Sequence, residues 1–431
     1  MKEKNGDLRP RASSSLPVPV NFNSFRKQNK KSLLILVLIL FLLNFVTSKF
    51  LNLRLFPFLS YYSKKSSISN LLYTNPQLLS EHGLSRSEIE VTSPLIFPSV
   101  ENAPLLRELT LKNLFKSKID PKTQKSVFLY DDEEEINSEN EIKESPSDYD
   151  TSNPLIKAKK NFKEQGRRIL QKNLKNSPEL VIVTGLDFEN YELTYLTRVA
   201  QNRVDYAQKQ NYGVYIRWLQ EFIPIMQDTE SDTRWIKLFL VRAAMHAFPD
   251  AKYFWYLDQD TLIMNQDIDL ISYILTPDAL DPIIIKEQPI IPQNGLIKTY
   301  KNSRLENVRL ILTQTDTKID SSSFIIVNDV YGKSLLEFWS DPLFRTYTNF
   351  PYFEESAITH ILQWHPVLLS KTAIIPIKTI NSVHSALEIK DQTDTLHYTD
   401  KDLVVNFRGC SDQKNCDEIQ NEYWNILKNK N

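Results

Sequence analysis

Cysteine is nearly absent from this chain: of 431 residues only Cys410 and Cys416 carry a thiol, with five residues between them. That excludes a disulfide scaffold, although an oxidising compartment would let the pair close one small loop. A zinc site would have to recruit His360, His365 or His384, which show no recognisable ligand spacing. Charge of one sign is also lacking. The 52 Lys and Arg against 53 Asp and Glu leave a net charge of -1, so nothing global points to a nucleic-acid partner. There is no repeat of solenoid period and no Asn-x-Ser/Thr acceptor. What remains, 41% hydrophobic and 24% charged residues, is ordinary for a globular protein, long enough for one large domain plus accessories.

The charges that exist are unevenly placed. Lys2, Lys4, Arg9, Arg11, Arg26, Lys27, Lys30 and Lys31 face only Glu3 and Asp7 in residues 1–31, and an apolar run, SLLILVLILFLLNFV, follows from Ser32 to Val46. We read residues 32–53 as a transmembrane signal anchor on the short side, with the basic tail in the cytosol and the rest across the membrane. A short span suits the thinner membranes of the early secretory pathway. A cleaved signal peptide is the competing reading, with Val46 and Ser48 as small residues near the end of the run, but the charged region before it is longer than signal peptides carry. Residues 54–156 read as a luminal stem. Pro76, Pro94, Pro98, Pro104 and Pro121 interrupt long helices, and the acidic run DDEEEINSENEIKE, Asp131 to Glu144, stays solvated by its own repulsion.

From residue 157 the pattern changes. Leu180 to Gly185, LVIVTG, reads as a first parallel strand whose end faces a ligand; Tyr191 to Gln210 is helical, Val214 to Leu219 a second strand, and Asp232 to Phe248 a second helix stopped by Pro249. This alternation predicts an α/β fold with a mainly parallel sheet over 157–431. Next comes the most informative segment, Tyr253 to Asn265, YFWYLDQDTLIMN. Asp258 and Asp260 interrupt an apolar run, and unpaired carboxylates there would cost several kcal/mol. The segment reads as a buried strand ending in a metal-binding turn: side chains at i and i+2 of an extended chain point the same way, so both carboxylates can face one hard divalent cation able to neutralise a diphosphate. A pair of acids at a solvated loop tip is the plain alternative. A haloacid-dehalogenase-type phosphatase also begins with D-x-D, but on the first strand of its domain, and Leu262 stands where that motif wants Thr or Val.

The segments NRVDYAQKQNYG (Asn202 to Gly213), FPDAKYFWYLDQDTLIMN (Phe248 to Asn265), LLEFWSDP (Leu335 to Pro342), FEESAITHILQWHP (Phe353 to Pro366) and YTDKDLVVNFRGC (Tyr398 to Cys410), with Lys237 and Arg242 on the intervening helix, resemble glycosyltransferase family GT34. Within it the chain is most similar to fungal Golgi α-1,6-mannosyltransferase subunits of the mannan polymerase complex. The resemblance implies a GT-A fold, GDP-mannose as donor, an N-glycan mannan acceptor, Mn2+ held by Asp258 and Asp260, partner subunits of a hetero-oligomeric complex, and a single-pass Golgi membrane protein with its catalytic domain luminal. It implies donor contacts at Thr184, Tyr206, Lys237 and Asp258, and catalytic positions at Glu354 and Glu355. Three departures stand out. Asn406 occupies the family's metal-ligating His, Glu355 its amide in E-Q-x-A, and Ser322 the glycine of N-x-G-S-F. An active enzyme with a variant metal shell and a structural subunit of the same complex both remain open. Trp235, Trp255, Trp339 and Trp364 read as core aromatics.

Overall fold

The computed structural model describes residues 88–119, 124, 126–130, 153–165, 168–172, 177–226, 232–293, 295–387, 391, 393–408, 410 and 413–430. The basic tail, the signal anchor and the acidic run lie outside these. Among the described residues no helix is long and apolar enough to cross a membrane.

A seven-stranded sheet organises the molecule. Its strands are β2 (Leu95–Ile96), β6 (Leu180–Leu186), β7 (Gly213–Trp218), β8 (Tyr253–Leu257), β10 (Leu310–Gln314), β11 (Ile319–Val327) and β12 (Thr372–Ile375), in the order β12-β10-β11-β8-β6-β7-β2. All neighbours are parallel except those of β11, which runs against both β10 and β8. A three-stranded sheet, β13 (Ser382–Val383), β14 (Val404–Asn406) and β9 (Thr261–Ile263), continues the chain leaving β8. Two small ladders complete the strands: β1 (Glu88–Val91) with β5 (Arg168–Gln171), and β3 (Phe115–Ile119) with β4 (Ser126–Tyr130). Numbering the helices of ten residues or more, α1 is Ala103–Leu114, α2 Pro154–Gln165, α3 Leu193–Gln210, α4 Ile236–Ala247, α5 Val330–Trp339, α6 Phe353–Trp364 and α7 Gln413–Lys430.

The strand pattern follows from burial on both faces, which favours continuous apolar runs over alternation. Leu180, Ile182 and Leu186 of β6 join Val199 and Tyr206 of α3 in one core, while Val181 and Val183 point the other way and join Leu238, Leu240 and Val241 of α4 with Ile358 of α6. Helix α3 has no Gly or Pro and ends where Asn211 turns left-handed, φ 59°, its N–H donating to Ala207 O. Gly185 does not end its strand, since β6 runs on to Leu186. A Cβ at Gly185 would meet Leu219 Cδ2 at 2.4 Å and Leu240 Cδ1 at 2.6 Å, so glycine is needed for close packing there.

Two expectations change. Part of the stretch read as stem is folded with the rest: Leu95–Ile96 pairs with Val214–Tyr215 as the outer strand of the main sheet, and Ala103 and Leu106 of α1 are buried in its core. Scattered prolines concealed this, because a two-residue edge strand needs no long apolar run. Trp364 is 69% exposed rather than core, because it lies beyond the last buried position of α6, Leu362, and rests on His360. Trp218, Trp235, Trp255 and Trp339 are buried, at 0%, 2%, 0% and 0% exposure.

Candidate active site

Strand β8 stops at Leu257 and β9 starts at Thr261, so Asp258, Gln259 and Asp260 form a turn and do not continue an extended chain. The turn itself brings both carboxylates to one cleft of ≈770 Å³. It is held from beneath by Arg203 of α3, which is 0% exposed. One guanidinium nitrogen, Nη2, donates to Asp258 O (3.0 Å), Thr261 O (2.9 Å) and Thr261 Oγ1 (2.7 Å), while Nε reaches Thr184 Oγ1 (3.3 Å) and Nη1 reaches Asn202 Oδ1 (2.6 Å). Thr261 Oγ1 closes the turn by donating to Asp258 O at 2.7 Å. Carbonyls and hydroxyls, not an acid, surround this cation, and burial draws its pKa down to about 9.

The two aspartates have different company. Asp258 accepts from Tyr256 OH at 2.6 Å and faces Lys237 Nζ at 3.3 Å. Burial raises its pKa, against the pull of Lys237 and Tyr256. Asp260 accepts from the phenols of Tyr195, at 3.0 Å, and Tyr191, and among the described residues no Lys or Arg forms an ion pair with it. Burial first, then the Asp258 charge, pushes it up to about 6.

Across the cleft the first turn of α6 supplies Glu354 and Glu355, an arrangement that a helix N-terminus favours. Glu354, 2% exposed, meets Lys237 Nζ at 3.0 Å, and Ser321 Oγ donates to it at 3.2 Å. Lys237 is itself 5% exposed and so is no solvated helix lysine. Burial would lower its pKa, but Asp258, Glu354 and Glu355 outweigh that and raise it. Glu355 accepts from Ser321 N at 3.0 Å and pairs with Lys318. Burial, then the nearby charges of Asp320 and Glu354, push it up to about 7. The antiparallel run of β11 beside β8 makes this possible, passing Ser321 and Ser322 close enough for Asp258 N to donate to Ser322 O at 2.8 Å.

Asn406 ends β14 opposite Thr261, and the next residue, Phe407, donates its N–H to Asp260 O at 2.8 Å. The Asn406 amide is 1% exposed and lines the cleft. Its Nδ2 donates to Asn381 Oδ1 at 2.7 Å and its Oδ1 accepts Arg408 N at 2.8 Å. Asn381 continues to Asp320, which also pairs with Arg408. Burial would raise Asp320, but Arg408 and the hydrogen bonds of Ser322 and Asn381 hold it below the usual carboxylate range. Cys410 and Cys416 are disulfide-bonded and line the same cleft.

Asp258, Asp260, Lys237, Glu354, Glu355 and Asn406 thus converge on one cleft. Thr184 and Tyr206 do not reach it. Thr184 is fully buried and donates to Leu257 O at 2.9 Å; Tyr206 packs on Tyr212 and Trp255 with its hydroxyl on Ile268 O at 2.7 Å. Alternation along β6 puts Thr184 on the face of Leu180 and Ile182, which is turned into the core. His384 binds Tyr423 OH through Nδ1 at 3.0 Å and is not among the cleft residues. Arg203 was not singled out from the sequence, although a cation one turn after Val199 and one before Tyr206, on an apolar helix stripe, is a readable signal.

The donor set fits a hard divalent cation. Among the described residues no cluster of three or more His, Cys, Asp and Glu is arranged for a metal, so Asp258 and Asp260 would be joined by the Asn406 amide oxygen, which keeps a lone pair beyond its bond to Arg408. The carboxyl of Asp260, raised and in no ion pair among the described residues, is the group a dication would relieve.

Residues 176–417 match the galactosyl transferase GMA12/MNN10 family. The chain is 40% identical over 364 residues to the probable α-1,6-mannosyltransferase MNN11 of Saccharomyces cerevisiae, covering 80% of this chain and 83% of that one. It is 29% identical over 265 residues to an α-1,2-galactosyltransferase of Schizosaccharomyces pombe (59% and 68%), and 26% over 237 residues to the probable α-1,6-mannosyltransferase MNN10 of S. cerevisiae (53% and 59%). Among solved structures it is similar to a glycosyltransferase involved in glycosylation of the major capsid of PBCV-1, at 15% identity and a TM-score of 0.38 over 57% of this chain and 100% of that one.

Proposed function

Because the chain belongs to the galactosyl transferase GMA12/MNN10 family and is a glycosyltransferase, we propose that it moves mannose from GDP-mannose to an α-1,6-linked mannan backbone of N-glycans, with retention of configuration and dependence on Mn2+. The same reading takes its fold as GT-A and places it in the Golgi membrane, single-pass type II, in a complex with other mannosyltransferase subunits. The observation that carries it is the locked Asp258–Asp260 turn facing a polar cleft, with Asp260 lacking a cationic partner among the described residues. Mannose and the α-1,6 linkage are supported by the similarity to MNN11.

Asp258, Asp260 and the Asn406 amide would hold the Mn2+, which when bound supplies positive charge against the diphosphate. Lys237 adds a buried ammonium between the two walls, charged throughout the neutral range; its three N–H groups meet Asp258, Glu354 and Ser321, so it acts on the donor as a fixed positive charge. Tyr195 and Tyr256 orient the carboxylates by donating to them. Glu354 and Glu355 are the carboxyls of the opposite wall, and each meets a lysine.

That pairing favours the second reading, a weakly active or non-catalytic subunit, since Glu355 must leave Lys318 before it can act on a reacting sugar. The full chain incubated with GDP-mannose, an α-1,6-mannose oligosaccharide and Mn2+ decides between them. Metal-dependent α-1,6 product, lost in Asp258→Ala, supports catalysis. No product, with transfer by added partner subunits undiminished by Asp258→Ala, supports the structural role.

A further inference from the structure

The wall opposite the aspartate turn carries a feature that the transfer chemistry above leaves unused. Phe353 opens α6 with φ 47°, a left-handed conformation that a bulky residue keeps only when its surroundings hold it. Here the Arg234 guanidinium lies over the Phe353 ring, 3.8 Å from its centroid. Arg234 is fixed in turn by Asp232, with Nε on Oδ1 at 2.8 Å and Nη2 on Oδ2 at 3.0 Å, and Asp232 also accepts Arg234 N at 2.9 Å. The preceding residue, Tyr352, lines the cleft and is 43% exposed. The Lys318 ammonium stands 4.8 Å from its ring centroid.

Other tyrosines of the cleft serve through their hydroxyls. Tyr256 is 3% exposed and bonds Asp258, and Tyr191 bonds Asp260. Tyr352 instead presents its ring. A hexopyranose offers an apolar C–H face and a rim of hydroxyls, and a half-exposed aromatic ring beside Lys318, Ser322 and Glu355 of the same cleft matches both. We propose that Tyr352 is the stacking platform for a hexose of the acceptor, an uncharged hexose oligosaccharide, and that the Asp232–Arg234–Phe353 stack holds it in place. The inference rests on the transferase reading above in taking a sugar acceptor as the ligand. A nucleotide base is the competing occupant of an exposed ring, and the test separates the two.

Saturation-transfer NMR on the full chain in detergent reads binding of α-1,6-mannotriose and of GDP without needing turnover. Tyr352→Ala is expected to weaken mannotriose binding about fivefold, whereas Tyr352→Phe stays within about twofold of wild type and GDP binding is unchanged in both. Equal mannotriose affinity in Tyr352→Ala overturns the proposal, as does a fall in GDP affinity instead, or a wild-type chain that binds GDP but no mannotriose. Tyr352-dependent mannotriose binding by a chain that transfers no mannose would leave the platform standing and remove the transfer reading.

Discussion

Two pairs of carboxyls share one cleft and are built in opposite ways. Asp258 and Asp260 sit on a turn whose backbone is clamped by a buried arginine, yet Asp260 accepts from phenols and forms no ion pair among the described residues. Glu354 and Glu355 sit on a helix end and each meets a lysine, Lys237 being shared between Glu354 and Asp258. The first pair has rigid geometry and one carboxyl outside any ion pair among the described residues; the second has both carboxyls in ion pairs that must be exchanged to be used. Rigid geometry with uncompensated charge suits binding a cation, since little is reorganised on its arrival. Ion-paired carboxyls suit holding Lys237 and Lys318 in place.

The largest effect should come from removing the imbalance. Asp260→Asn is expected to lower transfer at least about a hundredfold, and, where Mn2+ is expected to raise the melting temperature of wild type, to abolish that rise. The sign for the metal-free protein is opposite. An acid whose folded pKa is raised contributes stability below its unfolded pKa and loses it as pH climbs through about 6, so the Asn variant should melt higher than wild type at pH 7. If Asp260→Asn destabilises the metal-free chain at pH 7, the imbalance is not there.

Arg203→Met comes next. It takes the guanidinium from the Thr261 carbonyl and leaves Asp258 O with Thr261 Oγ1 as its side-chain donor, and urea unfolding should show a loss of about 3 kcal/mol. Arg203→Lys should recover only part of this, because one ammonium cannot reach acceptors on Asp258, Thr261, Thr184 and Asn202 together. Glu354→Gln weakens one side of the Lys237 bridge and should cost about 2 kcal/mol by the same measurement; a neutral outcome would show that Asp258 alone suffices for that lysine. Smallest is Glu355→Gln. A carboxyl raised to about 7 gives stability at pH 4 that fades as pH rises through 7, so the variant should flatten the fall of melting temperature between pH 5 and pH 8.

How much of this could be read in the sequence differs residue by residue. Asp258 and Asp260 were legible because two acids inside YFWYLDQDTLIMN contradict their surroundings. The family resemblance placed Glu354, Glu355, Lys237 and Asn406, and all line the cleft. Strands and helices from Leu180 to Leu257 were legible by period, with ends displaced by a residue or two except at the start of α4, where a 3-10 turn over Thr233–Trp235 precedes Ile236. The apolar stripe of α3 marks Arg203 as a buried cation, but its partner Asp258 lies 55 positions further along the chain, and no local pattern encodes that pairing. The turn after the strand was legible too, since the two acids end the apolar run; that β9 resumes at once from Thr261 was not, because Thr261 to Met264 continues the same apolar character. Thr184 and Tyr206, donor contacts by the resemblance, lie in the core outside the cleft, because a family motif does not fix which way each side chain points.

The outer strand Leu95–Ile96 has a consequence for how the molecule is made. It pairs with Val214 and Tyr215, which are synthesised more than a hundred residues later. The segment that closes the sheet is therefore among the first of the sheet to leave the ribosome and must wait for its partner, with helix α3 and the whole of β6 produced in the interval. Nascent chains stopped shortly before Gly213 would hold this strand with no neighbour to pair with, and the protected edge of β7 exists only once synthesis has passed it.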